Sequence, residues 1–260
     1  MQLKGRVAAI TGGAGHLGKT FAETLAELGA DLVLIDLQQE ACSDVANRIQ
    51  QNYKIKVSVL ALDLEKEENV LSISDHIQKN YGRLDILINN SAFVGDSELS
   101  GWKTSFELQS SGTWRRALEV NLTTPFVFVQ SCLELLRASK HASVINVGST
   151  YGVVGPYMDL YEDTNMGSPA AYSASKGGLI QLTRWMATVL APYIRVNAIS
   201  PGGIWRNQPE SFHQRYCERT PLNRMANEQD FKGISAFLAS DLSEYVTGQN
   251  FIVDGGWTVW

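Results

Sequence analysis

Tyr172 and Lys176 stand four positions apart in the run YSASK. On a helix that spacing puts both on one face, one turn apart. A free phenol has a pKa of about 10, and an ammonium beside it favours the phenolate, which brings the group toward acid–base work near neutrality. Tyrosine and lysine meet at this spacing by chance often enough that the setting has to add weight. Ser168 is suited to cap a helix and Pro169 to open its first turn. Upstream, Ser149 closes the run INVGS and offers a hydroxyl to the same proton-handling device. Between Ser149 and Tyr172 lies a long stretch, TYGVVGPYMDLYEDTNMGSPAA, that is aromatic and acidic.

The elements that must position these groups follow one pattern. Short apolar runs (RVAAIT, DLVLID, KVSVLALD, LDILINN, SVINVGS, IRVNAISP and NFIVDGG) read as buried parallel strands. Helical patterns lie between them; in the first, Leu17, Phe21, Leu25 and Leu28 recur at helical spacing and Gly29 ends the turn. The alternation predicts an α/β fold, a Rossmann-type doubly wound parallel sheet of about seven strands with helices on both faces. No linker-like composition divides the chain, so residues 1–260 read as one domain with a substrate flap at about 203–224.

Such sheets bind ligands at the carboxyl ends of their strands. The first strand ends in TGGAGHLG, residues 11–18, and passes into a helix. Glycines there permit a sharp turn and a close approach to a pyrophosphate, whose charge a helix N-terminus favours. The contact candidates in this turn are Gly12, Gly15, His16 and Leu17. The second strand ends at Asp36, where a carboxylate accepts hydrogen bonds from both ribose hydroxyls and repels a 2′-phosphate. Its neighbours Leu37, Gln38 and Gln39 offer no cation, so NAD is favoured over NADP.

Composition sets further bounds. The chain has 260 residues, 44% of them hydrophobic, and a net charge of −5, which argues against nucleic acid as a partner. No apolar run has membrane-spanning length. The start, MQLKGRVAAITGG, enters strand-like sequence directly, and no signal peptide is visible. The three cysteines, Cys42, Cys132 and Cys217, lack metal-ligand spacing, and His16, His76, His141 and His213 are dispersed, so no metal is expected. The expectation is a soluble, cytoplasmic protein acting on a small-molecule substrate.

Taken in order, TGGAGHLG, NNSA at 89–92, Asn121 in EVNLTTPF, Ser149 in INVGS and YSASK resemble the short-chain dehydrogenase/reductases of the compact, one-domain type, over nearly the whole chain. The resemblance implies that Tyr172 is the general acid or base, that Lys176 holds the nicotinamide ribose and stabilises phenolate, that Ser149 orients the reacting oxygen, and that Asn121 holds a relay water. It implies cofactor contacts at Asp63 and Leu64 (adenine), at Asn90 and Ser91, and at Pro201, Gly202 and Ile204 (nicotinamide carboxamide). Three positions depart from the pattern. His16 stands in place of a glycine, NNSA replaces NNAG, and Arg206 replaces a threonine; three places are open to Arg206: at the cofactor pyrophosphate, at an anionic substrate, or in solvent.

The reading is therefore an NAD(H)-dependent oxidoreductase interconverting a secondary alcohol and a ketone. A ketoacyl-thioester reductase of the same fold is the nearest rival, though it more often takes NADP, which Asp36 opposes. A non-catalytic NAD-binding sensor would need no tyrosine–lysine pair. The ending DGGWTVW and the insertion before Tyr172 also resemble a subgroup tied to bacterial surface-polysaccharide and flagellin-glycan modification, which implies a sugar or sugar-derived substrate. Loop 155–167 is expected to form one wall of its pocket and the flap its lid, with Tyr151, Tyr161, Glu162, Trp205 and Arg206 as substrate candidates. The resemblance also pairs the two long helices, about 111–139 and 169–190, between subunits. Phe126, Phe128, Val129, Leu179 and Trp185 are too many for one sheet-facing stripe, so a homo-tetramer is expected, with a dimer as runner-up.

Overall fold

The apolar runs become the strands of one seven-stranded sheet in a computed structural model that describes residues 2–93 and 99–260. In chain order they are β1 (Val7–Thr11), β2 (Asp31–Asp36), β3 (Val57–Ala61), β4 (Ile86–Asn89), β5 (Ala142–Val147), β6 (Ile194–Pro201) and β7 (Asn250–Val253). All pair in parallel, in the order β3-β2-β1-β4-β5-β6-β7. Parallel neighbours need crossovers, and helices supply them. These are α1 (His16–Glu27), α2 (Gln39–Asn52), α3 (Glu67–Tyr81), α4 (Ser111–Leu118), α5 (Thr124–Ser131), α6 (Leu133–Ala138), α7 (Ala170–Leu190), α8 (Glu210–Arg219) and α9 (Lys232–Ala239). The doubly wound sheet read from the sequence is the fold.

Alternate residues of each strand serve opposite layers. Ala8 and Ile10 of β1 share a core with Phe21, Leu25, Cys42, Ile49 and Leu238 from α1, α2 and α9. Val7 and Ala9 share the other with Val70, Ile77, Phe128, Leu136 and Met186 from α3, α5, α6 and α7. Because both faces are covered, the strands carry apolar residues almost without alternation. The winding reverses between β1 and β4, which opens a crevice at their carboxyl ends. Beside it a polar chain ties strands to helix: Asn89 Nδ2 donates to Asn146 Oδ1 at 2.8 Å, and Asn146 Nδ2 donates to Thr183 Oγ1 at 2.8 Å.

The long helical run expected over 111–139 is present as α4, α5 and α6 in direct succession, with a π-helical turn at Glu119–Thr123 between the first two. Asn121 sits in that turn, fully buried; its Oδ1 accepts from the Phe93 N–H at 2.6 Å and its Nδ2 donates to Ser175 Oγ at 3.0 Å. A π-turn's wider winding brings a side chain inward to such partners, and these turns gather at functional sites. Ser168 does not cap α7. Pro169 takes the cap position without a side-chain bond, and Gln109 Oε1 accepts from the Ala170 N–H at 3.1 Å. Among the described residues no helix is long and apolar enough to cross a membrane.

The crevice depends on how closely α1 approaches the turn after β1. A Cβ on Gly18 would lie 1.9 Å from the Gly12 carbonyl oxygen, and backbone cannot yield as a flexible side chain can. Gly18→Ala should therefore lift α1 from the turn, lowering stability by about 1–3 kcal/mol as an overpacked contact does. Thermal melting and an NADH titration check this; a wild-type melting temperature with wild-type affinity would contradict it.

Candidate active site

A cavity of about 680 Å³ runs along the carboxyl ends of the strands, from Gly12 and Asp36 at one end to Ser149, Tyr172 and Lys176 at the other. Its first end is built by the glycine turn. Gly12 adopts φ +64°, a left-handed value that glycine takes without strain. Thr11 Oγ1 accepts from the N–H groups of Asn90 and Ser91 at 3.0 Å each, and Asn90 Nδ2 donates to the Thr11 and Gly12 carbonyls. The turn and the segment after β4 thereby hold one another. Gly15, at the cap of α1, provides no side-chain acceptor for the first-turn donors, and Gly15, His16 and Leu17 line the cavity beside them. Asp36 Oδ2 accepts from the Ala14 N–H at 2.9 Å and Oδ1 from the Leu37 N–H at 2.8 Å, which fixes a carboxylate on the same wall. Asp63 and Leu64 line it further along. A glycine cradle, uncapped helix donors and a fixed carboxylate in one groove suit a dinucleotide's pyrophosphate and ribose.

The far end brings together Ser149, Tyr172 and Lys176. Lys176 is 2% exposed, and its Nζ donates to the Val147 carbonyl, the last of β5, at 2.6 Å. Burial lowers its pKa to about 8. The same Nζ lies 5.9 Å from the Tyr172 ring centre. Ser149 is buried at the end of β5 and its Oγ accepts from the Tyr151 N–H at 3.1 Å. Burial raises the Tyr172 phenol above its ordinary value, and a hydrogen bond with Ser149 and the positive charge of Arg206 offset part of the rise. One of the three Lys176 N–H donors is taken by the Val147 carbonyl, and two remain for groups in the cavity.

The wall opposite is aromatic. Tyr151, Tyr161, Phe212 and Tyr216 line it with Phe93, Met166 and Met225. The Tyr151 and Tyr161 hydroxyls bond one another at 2.7 Å, and the Tyr216 hydroxyl accepts from the Gly203 N–H at 2.6 Å. Pro201 at the end of β6, and Gly202, Ile204 and Arg206 after it, also line the cavity. Two substrate candidates lie outside it. Glu162 is exposed, and a backbone turn at Met158–Tyr161 brings Tyr161 inward while leaving the next side chain in solvent. Trp205 points outward and packs against His213, ring centres 4.2 Å apart.

Loop 155–167 and α8, read from the sequence as wall and lid, pack directly against one another. Leu160 is fully buried in a cluster with Phe212, Tyr216, Met225 and Trp257. Arg215 of α8 donates to the carbonyls of Asp159 at 3.2 Å and Glu162 at 2.7 Å. Tyr216 was not among the sequence candidates, although Phe212 and Tyr216 stand one helical turn apart in ESFHQRYCER. Nor was Glu228, whose carboxylate accepts from Arg206 Nε at 3.2 Å and lies 3.8 Å from His16 Nδ1; no local pattern announces it. At the other end of the sheet His141, Asp241 and Glu244 converge, but Arg6 and His141 already occupy the two Asp241 oxygens.

Comparison with known proteins agrees with this fold. A family model described as enoyl-(acyl carrier protein) reductase matches residues 12–258. The 3-oxoacyl-(acyl-carrier-protein) reductase FabG of Aquifex aeolicus is 30% identical, covering 98% of each chain. The post-translational flagellin modification protein A of Campylobacter coli is 28% identical, covering 98% of this chain and 99% of its own. A short-chain dehydrogenase of Leptospira borgpetersenii with bound NAD+ superposes with a TM-score of 0.85 at 34% identity, over 99% of this chain and 94% of its own. A gluconate 5-dehydrogenase of Burkholderia cenocepacia, in complex with NADP and tartrate, superposes with a TM-score of 0.86 at 28% identity, over 100% and 97%. The neighbours thus include both NAD and NADP complexes. With its sheet, its crevice and its relatives in agreement, the chain belongs to the short-chain dehydrogenase/reductase family, whose members are oxidoreductases acting on CH–OH groups.

Proposed function

We propose that this protein is an NAD(H)-dependent oxidoreductase that interconverts a secondary alcohol and a ketone, with Tyr172 as the acid/base group. The supporting observation is the continuity of one cavity from the glycine turn and Asp36 to Ser149, Tyr172 and Lys176. When bound, the nicotinamide dinucleotide supplies or accepts the hydride. Gly12, Gly15, His16 and Leu17 hold its pyrophosphate, Asp36 its adenosine ribose, and Asp63 and Leu64 its adenine. Asn90 and Ser91 line its central part, and Pro201, Gly202 and Ile204 orient the nicotinamide.

In reduction the Tyr172 phenol gives its proton to the carbonyl oxygen, which Ser149 holds by a hydrogen bond; in oxidation the phenolate takes the hydroxyl proton. Lys176 holds the nicotinamide ribose and stabilises negative charge on Tyr172. Asn121, with Phe93 and Ser175 already bound, keeps one amide hydrogen for a relay water toward Lys176.

The preference for NAD rests on Asp36, whose fixed carboxylate would meet a 2′-phosphate as a like charge. We keep a sugar-derived compound as the substrate class, supported by the flagellin-modification relative and by aromatic faces able to pack on a ring. A ketoacyl-thioester reductase is the second reading, favoured by the resemblance to FabG. We read residues 1–260 as one domain in the cytoplasm, with 203–224 as its flap. We also propose a homo-tetramer, a dimer being the runner-up. Phe128, Val129 and Leu179 are buried within the chain's own core, whereas Phe126 and Trp185 remain 39% and 54% exposed on α5 and α7.

Tyr172→Phe should nearly abolish turnover while leaving NADH affinity within a few fold, since the ring stays and the proton goes. In the wild type, ketone reduction draws on the protonated phenol, whose pKa is raised. It should hold across neutral pH and fall only on the alkaline side, while alcohol oxidation, needing phenolate, should climb with pH. Substantial turnover by Tyr172→Phe in assays with sugars, sugar alcohols and acyl thioesters would overturn the mechanism.

Asp36→Ala should weaken NAD binding roughly 10- to 100-fold, the worth of hydrogen bonds to a charged acceptor, and relax discrimination against NADP. Direct titration of both dinucleotides checks this, and a wild-type preference for NADP would refute it. Light scattering at micromolar concentration should give the mass of four 28.6 kDa chains; a monomer's mass would remove the assembly proposal.

A further inference from the structure

Arg206 is set into the cavity wall by two restraints. Its backbone N–H donates to Gln208 Oε1 at 2.7 Å, and Gln208 Nε2 donates to the Ile204 carbonyl at 2.8 Å, closing a tight turn over residues 204–208. Asn207, within it, takes a left-handed φ of 57°, a conformation asparagine tolerates better than most residues. The guanidinium is held by one edge only, through Nε to Glu228 Oε1 at 3.2 Å. Among the described residues, nothing accepts a hydrogen bond from Nη1 or Nη2. A planar fork fixed at its base, with its outer edge free, is prepared for a carboxylate that takes two parallel N–H bonds. The ordering cost of that contact is already met by the turn and by Glu228.

The remaining lining leaves polar recognition of a substrate to few groups. Lys176 gives one N–H to the Val147 carbonyl and is assigned above to the cofactor ribose, and His16 lies beside Arg206, its Nδ1 3.8 Å from the Glu228 oxygen that Arg206 Nε also meets. Tyr151, Tyr161 and Tyr216 present ring faces while their hydroxyls serve one another or Gly203. The acidic lining residues Asp36, Asp63 and Glu65 lie at the adenosine end, and no carboxylate of loop 155–167 faces the cavity. Arg206 lines the same cavity as Ser149 and Tyr172, and its positive charge favours the Tyr172 phenolate there. Because Glu228 already offsets part of that charge, a monoanion fits better than a phosphate dianion, which would leave excess negative charge beside Glu228.

Building on the reaction proposed above, we infer that Arg206 is a specificity-determining residue that binds a substrate carboxylate, so that the enzyme acts on hydroxy acids and the corresponding oxo acids. The alcohol or carbonyl carbon lies at Ser149 and Tyr172, the skeleton lies against the aromatic wall, and the carboxylate meets the free edge of Arg206. Glu228 acts through Arg206 as a positioning residue.

The test compares acids with neutral counterparts of the same skeleton in the full chain. One pair is 4-hydroxycyclohexanecarboxylate and its amide; the other is gluconate and sorbitol. Each is assayed with NAD+ in the wild type, Arg206→Gln and Arg206→Lys. Binding of 4-oxocyclohexanecarboxylate and of its amide to the protein–NADH complex is measured by calorimetry. In at least one pair the wild type should prefer the acid in kcat/KM by roughly 10- to 100-fold, the range expected for charge-assisted hydrogen bonds. Arg206→Gln should erase that preference, Arg206→Lys should restore part of it, and NADH affinity should stay within a few fold. The inference fails if the wild type treats acid and neutral partner alike in turnover and in binding. It also fails if Arg206→Gln weakens NADH binding and leaves the acid preference intact, which would assign Arg206 to the cofactor pyrophosphate. If no alcohol is turned over but the oxo acid still binds in an Arg206-dependent way, the reaction reading falls and the carboxylate site stands.

Discussion

A buried ammonium governs the arrangement of this site. Lys176 lies in the interior, where an unpaired charge is costly, and the acceptor it uses is the carbonyl that ends β5. That hydrogen bond sets the register of α7 over the sheet's edge. Once it is set, Tyr172 falls one turn earlier, over Ser149, and the three groups face the same crevice. The low polarity that makes the bond necessary also loosens the lysine's proton, so the group that anchors the helix is electrically poised as well.

The scaffold around that bond is held by buried amides as much as by apolar packing. Asn89, Asn146 and Thr183 link β4, β5 and α7, while Asn121 links the segment after β4 to α7 through Phe93 and Ser175. Directional bonds in a low-dielectric interior fix relative positions more narrowly than hydrophobic contact, which tolerates sliding. The proton transfer proposed for Tyr172 benefits from that narrowness, because misplacement of a reacting group by about 1 Å is costly in rate.

Much of this is legible in the amino-acid sequence itself. All seven strands could be read because strands covered on both faces carry unbroken apolar runs; TGGAGHLG, Asp36 and Ser149 sit where those runs end, and YSASK opens α7. What escaped reading depends on direction and on distant partners. Nothing in EVNLT signals a π-turn, since the turn answers to Phe93 and Ser175, far along the chain. In YMDLYED, tyrosines and carboxylates alternate too irregularly for a period to say which side chain faces the cavity, and a short tight turn sent Tyr161 inward and Glu162 outward. Glu228 has no motif at all; its place beside Arg206 comes from tertiary proximity.

The link from Arg215 to the backbone of the inserted loop bears on how this enzyme's substrate range could change. Carbonyl acceptors are the same whatever side chains the loop carries, so residues along its outer surface are free to drift. Loop length and backbone path are not free, because α8 reads them directly. New specificity is thus reached more easily by point changes on the inner faces of Tyr161, Met166, Phe212 or Tyr216 than by exchanging the loop alone. A transplanted loop would have to bring its helix with it, so the two form a single heritable cassette.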